Sequence, residues 1–146
     1  MSTKKFIDAQ HKYFKRAKEE LSNGKKTSGW MWFMFPQVDG LGESVLCKRY
    51  SIKSRQEALE YMNEPYLWNN YLELCSVLLN LPNSDISEVL GTTDCLKLKS
   101  SLTLFYLFCN EDCDVIKALL EKYYAGELCE HTRKTYRRWV LGDKFC

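Results

Sequence analysis

The sequence predicts an all-α fold, and three observations carry that prediction. Apolar residues recur at i, i+3 and i+4 along most of the chain, the period that places one apolar stripe on a helix. Strand signals are nearly absent, with no sustained alternation of apolar and polar residues and no hairpin between such runs. Residues that start and stop helices punctuate the periodic stretches. Together they predict one domain over residues 1–146, compact and built of about six or seven helices.

The elements follow in order. Phe6, Gln10, Tyr13, Phe14, Ala17 and Leu21 share one face of a first helix, with Gly24 placed for its C-terminal stop. A linker from Gly24 to Gly29 leads into an aromatic run, and Ser44 then caps a short helix through Tyr50. Ser54 with Glu57 forms a capping box ahead of Ala58, Leu59, Tyr61 and Met62. Pro65 suits the first turn of a helix that presents Leu67, Trp68, Tyr71, Leu72, Cys75, Leu78 and Leu79 and ends before Pro82. Asp85 with Glu88 opens a brief turn closed by Gly91. Asp94 is read as the cap of a helix carrying Leu98, Leu102, Phe105 and Cys109 on one face. Asp112 or Asp114 begins the next, through Val115, Ile116, Leu119, Leu120 and Tyr123 to Gly126. Thr132 to Val140 forms a last, strongly basic helix.

Composition narrows the class. A chain of 146 residues buries roughly 68–70% of its unfolded surface, enough for a core without metals or disulfides. The formal charge of +2 is too small to imply nucleic acid or an anionic membrane by itself. No stretch is apolar for long enough to span a bilayer, and Met1 to Lys5 leads into an amphipathic pattern rather than a signal peptide. Seven cysteines are an odd number without a secretory context. They predict reduced thiols and a cytoplasmic location, with Cys47, Cys75 and Cys109 acting as small buried hydrophobes.

Aromatic residues make up 14% of the chain, and their densest stretch is its most informative segment. Trp30-Met31-Trp32-Phe33-Met34-Phe35 runs into Pro36-Gln37 and then Gly40-Leu41-Gly42. An amphipathic helix would interrupt such a run, and a strand would not need the glycine pair. Core packing is one reading. The other is a ligand pocket, with an aromatic wall ending in permissive backbone.

Several linked motifs resemble a known family. They are Ser28-Gly29-Trp30-Met31-Trp32-Phe33, Phe35-Pro36-Gln37, Gly40-Leu41-Gly42 with Ser44, Tyr50-Ser51-Ile52, Glu57-Ala58, Tyr61-Met62 and Leu96 through Phe105. In this order they are similar to domain-of-unknown-function family 1810. Its bacterial members often carry the automatic label calpastatin, which no inhibitory motif in this chain supports. The resemblance runs from Phe6 to about Thr135 and implies a mostly helical single domain without an established activity. The family commonly has a histidine where this chain has Gly29, and His-Pro where it has Glu64-Pro65. A mechanism resting on either histidine is therefore not expected here.

Four clusters are candidates for function. In the first, Trp30 and Trp32 supply a stacking wall, Gln37 orients a ligand, and the backbone of Gly40 and Gly42 ahead of Ser44 meets negative charge. In the second, Lys97, Lys99, Ser100, Ser101 and Thr103 either converge on a pocket or cross-link helices. Third, Cys109, Cys113, Cys129 and His131 have zinc-compatible types but no Cys-x-x-Cys knuckle, so no metal is expected. Fourth, Arg133, Lys134, Arg137 and Arg138 interleave with Tyr136 and Trp139, a pattern nucleic acid can use but more often a solvated helix face. Asp39 and Glu43 flank the glycine loop without a readable spacing between them.

The leading expectation is a small polar or anionic ligand, nucleotide-derived compounds among them, bound by Trp30, Trp32, Gln37, Gly40, Gly42, Ser44, Lys97 and Ser101. No cofactor and no reaction follow from the residues. The alternative is a protein–protein interaction module with an aromatic docking groove. A nucleic-acid partner is disfavoured and a membrane is not expected.

Overall fold

The computed structural model describes residues 3–111 and 113–142. Among them lie nine helices and no strands. These are α1 (Lys4–Ser22), α2 (Met31–Met34), α3 (Val45–Tyr50), α4 (Arg55–Met62), α5 (Pro65–Leu79), α6 (Ser87–Leu90), α7 (Asp94–Phe108), α8 (Asp114–Tyr124) and α9 (Glu130–Leu141). The fold class is as expected, but the helices number nine rather than six or seven: six have eight residues or more, and α2, α3 and α6 are shorter. The aromatic run does contain a helix, the single turn α2. Met31, Phe33 and Met34 are all buried, so the run shows no polar face and its period is invisible in the sequence.

Most of the predicted ends hold. Ser44 Oγ accepts from Cys47 N at 3.1 Å, and Ser54 Oγ accepts from Glu57 N at 3.1 Å. The Glu57 carboxylate accepts from Lys53 N at 2.6 Å, one residue upstream of the N–H that a capping box usually engages. Pro65 opens α5, where Glu64 also caps by accepting from Tyr66 N at 3.1 Å. Two details differ. Thr93, not Asp94, precedes α7, and the Asp94 carboxylate faces two lysines instead. α8 ends through Ala125 at φ 55° before Gly126, a left-handed non-glycine that its sequence did not announce. Of the two proposed starts for α8, Asp114 is its first residue; Asp112 lies outside the described residues.

The core centres on α7, which lies against α4, α6, α8 and α9. Leu98 and every residue from Ser100 to Phe105 are buried. Phe105 meets Tyr61 at 5.2 Å and Tyr71 at 4.9 Å between ring centroids, within the range where aromatic pairs add stability beyond area. Among the described residues every fully buried side-chain nitrogen or oxygen has a partner. Gln10 Nε2 donates to the Phe33 carbonyl at 2.8 Å and to Tyr61 Oη at 3.0 Å, and its carbonyl accepts from Asn70 at 3.0 Å. This one side chain ties α1 to α2, α4 and α5.

The cysteines correct the sequence reading. Cys109 and Cys113 form a disulfide joining the end of α7 to the start of α8, so Cys109 is not a reduced core thiol. Cys47 and Cys75 are free and buried as expected, while Cys95 and Cys129 are free and half-buried. No described helix is long and apolar enough to cross a membrane.

Candidate functional site

After α2 the chain turns at Pro36 and is clamped to the segment that follows α3. Ile52 N donates to the Gln37 carbonyl at 2.9 Å, and Asp39 N donates to the Ile52 carbonyl at 3.0 Å. Val38 and Ile52 form an isolated parallel bridge, and both are buried. The clamp holds Gln37 at the edge of a cleft of about 400 Å³. Its other walls are Leu41, α7 (Leu96, Lys97, Lys99, Ser100) and the start of α9 (Cys129, Glu130).

Gln37 is only 5% exposed, and no hydrogen bond joins its side chain to another described residue. Among the described residues no fully buried side-chain nitrogen or oxygen lacks a partner. The Gln37 amide must therefore reach solvent, and Gln37 lines this cleft. An amide free of internal hydrogen bonds at the cleft offers a donor and an acceptor that a bound polar group can take up in exchange for water.

The lysines differ in how free they are. Lys97 Nζ donates to Asp94 at 2.8 Å and sits 4.1 Å from the Trp32 ring centroid, so its charge is largely compensated. The other oxygen of Asp94 holds Lys26 at 2.8 Å. Burial opposes ionisation of Asp94, but the hydrogen bonds and charges of Lys26 and Lys97 outweigh it and hold the carboxyl below its usual range. Lys99 meets only the exposed Glu127, at 3.5 Å, a pairing worth ~0–1 kcal/mol that a ligand anion can replace. Ser100 Oγ is shared with Thr132 Oγ1 at 2.9 Å.

The eight sequence candidates are thus divided. Gln37 and Lys97 share the cleft. Trp32 touches it only through Lys97 and is no part of its wall. Trp30 is fully buried, with its indole Nε1 bonded to Glu20 at 2.9 Å. Ser101 is likewise buried, 2.8 Å from Tyr71 Oη. Ser44 spends its hydroxyl on capping α3. At Gly42 a Cβ would stand 2.9 Å from Cys47 Sγ, so close packing explains this glycine. Gly40 borders a second cleft, beside Asp39 and His131. Leu41, Leu96 and Glu130 carry no chemical signature in the sequence and were missed.

The remaining clusters resolve as follows. Cys109 and Cys113 are bonded to each other and His131 contacts the Asp39 carbonyl at 3.2 Å, so the zinc-compatible set is not assembled. The aromatic residues of α9 are turned inward, Tyr136 meeting Phe108 at 4.8 Å and Trp139 meeting it at 6.3 Å.

The molecule is an all-helical protein whose aromatic segment is built into the core and whose glycine loop borders two clefts. It belongs to the family described as Protein of unknown function (DUF1810), whose model matches residues 1–136. Its fold is similar to the crystal structure of the conserved hypothetical protein Rv1873 from Mycobacterium tuberculosis, at 38% identity and a TM-score of 0.85. The match covers 90% of this chain and 93% of that one. No curated protein matches.

Proposed function

We propose that the protein binds a small molecule in the cleft bounded by Gln37, α7 and the start of α9. The observation that carries this reading is the Gln37 amide, 5% exposed, without an internal hydrogen bond to a described residue and lining the cleft. A ligand of this site presents a hydrogen-bonding group to Gln37, an anionic group to Lys99, and apolar surface to Leu41 and Leu96. Two lysines against the single acid Glu130, with the Gln37 amide, Thr93 and Ser100 beside Leu41 and Leu96, favour a small polar or anionic compound over a purely apolar one. Nucleotides and sugar phosphates belong to that class.

A thermal-shift screen against nucleotides and sugar phosphates tests the proposal, because a ligand of the native state raises Tm. The expected hit loses at least tenfold in affinity on Gln37→Leu, equivalent to about 1.4 kcal/mol, and weakens on Lys99→Met. Free Gln37→Leu keeps or slightly raises its own Tm, since no internal hydrogen bond is removed. A hit indifferent to both substitutions, or no hit at all, would sink the reading.

The alternative, a docking surface for another protein, draws on Leu96 at 65% and Val45 at 83% exposure. It loses the aromatic groove first expected, because Trp30, Phe33 and Phe35 are buried. Leu96→Ser separates the two: it abolishes a protein contact and only modestly weakens a ligand held by Gln37.

A further inference from the structure

A second cleft, of about 390 Å³, lies beside Asp39 and Gly40. Lys53, His131, Arg138 and Trp139 line it together with Asp39. The strip from Gln37 to Leu41 therefore contributes to both clefts, with Gln37 and Leu41 in the first and Asp39 and Gly40 in the second.

Its two basic side chains are tethered by hydrogen bonds to neutral oxygens. Lys53 Nζ donates to the carbonyls of Lys48 at 2.6 Å and Ser51 at 3.4 Å, around the end of α3. Arg138 donates to Thr135 Oγ1 at 3.3 Å, and that hydroxyl donates in turn to the His131 carbonyl at 3.0 Å. Neither forms an ion pair with a carboxylate among the described residues. Both are exposed and keep N–H donors to spare, which is what a bound oxyanion requires. His131 is fixed on the wall by its contact with the Asp39 carbonyl at 3.2 Å. That contact requires glycine at position 40, where φ is +95° and a Cβ would stand 3.3 Å from His131 Nε2. The Asp39 carboxylate is exposed and forms no ion pair among the described residues, so it is the one charge in the cleft that opposes an anion.

We propose that this second cleft is an oxyanion site, in which a phosphate-type group sits between the Lys53 ammonium and the Arg138 guanidinium, beside the His131 ring. Lys53 acts as a point charge, whereas the planar guanidinium of Arg138 offers paired donors matched to phosphate geometry. The site is separate from the Gln37 cleft and does not depend on a ligand there.

Titration of the whole protein with inorganic pyrophosphate, followed by the ring resonances of His131 and by calorimetry, tests this. Saturable binding that shifts His131 is expected, weakening as salt rises because the recognition is between charges. Lys53→Met and Arg138→Met each weaken it at least fivefold, and Lys53→Arg restores most of the loss. Asp39→Asn tightens binding at least twofold, which a merely structural role for Asp39 would not produce. Gln37→Leu leaves it unchanged, so failure here and failure at the first cleft are distinguishable. Absence of a saturable His131 shift overturns the proposal, as does wild-type affinity in folded Lys53→Met and Arg138→Met proteins.

Discussion

The indole Nε1 of Trp30 donates to Glu20 Oε1 at 2.9 Å, so the buried start of the aromatic segment is moored to the end of α1. The same carboxylate accepts from Thr27 N at 2.7 Å, Ser28 N at 3.0 Å and Ser28 Oγ at 2.6 Å. One acidic residue thereby shapes the whole linker between α1 and α2 and sets the direction in which the tryptophan enters the core.

This mooring makes stability depend on acid. Burial pushes the Glu20 carboxyl up, but the bonds from Ser28, Thr27 and Trp30 outweigh it and bring the group from 4.5 down to about 2. In that window the unfolded chain binds the proton and the folded chain does not. The stabilisation is therefore complete above pH 4.5 and is lost as pH falls toward 2. Glu20→Gln is expected to cost about 1–2 kcal/mol at neutral pH, discounted because the group is half-buried. Urea unfolding at several pH values should show a flatter acid limb for the variant; an unchanged limb would count against the mooring.

Asp94 offers a second test. Its carboxylate lies 2.8 Å from both Lys26 and Lys97, whose side chains are 13% and 19% exposed. Each ammonium also lies over an indole, Lys26 at 5.3 Å from Trp30 and Lys97 at 4.1 Å from Trp32. Asp94→Asn leaves two cations without their counter-charge in a half-buried setting, at an expected cost of about 2–3 kcal/mol. Adding Lys97→Met should recover part of that loss, because it removes one stranded charge. If the double variant is less stable than the single one, the lysines do not depend on Asp94.

The disulfide gives a third. Cys109 and Cys113 are four apart, and closing so short a loop restricts the unfolded chain by about 2 kcal/mol in the chain-entropy account. Reduction should therefore lower Tm by roughly 6 °C for a chain of this size. Cys109→Ser/Cys113→Ser should match the reduced protein under both conditions. Calorimetry with and without reductant measures the difference, and equal melting temperatures would contradict it.

Much of the helical frame was legible in advance because it is local chemistry. Ser44, Ser54 with Glu57, and Pro65 act within one helical turn, so their sequence signatures survive into the structure. Asp94 shows where that logic stops. Its type and position suit a cap, but two lysines from different parts of the chain compete for its oxygens and win. The Cys109–Cys113 bond was hidden for a related reason. Composition argued for thiols, whereas bonding depends on the end of α7 being brought against the start of α8.

The sequence by itself determined the all-helical class, most of the helix boundaries and the family, since each is encoded in short-range periodicity, capping or linked motifs. It also marked Gln37 and Lys97. Only the tertiary structure decided which marked residues face a cavity. Ser100 and Ser101 are neighbours on α7, yet Ser100 borders the cleft and Ser101 is sealed against Tyr71. Trp30 and Trp32 are two apart, yet one is anchored in the core by Glu20 and the other lies under Lys97. The physical reason is that a side chain's partner is set by the elements packed on its face of the helix, and the residues meeting at these clefts are drawn from distant stretches of the chain.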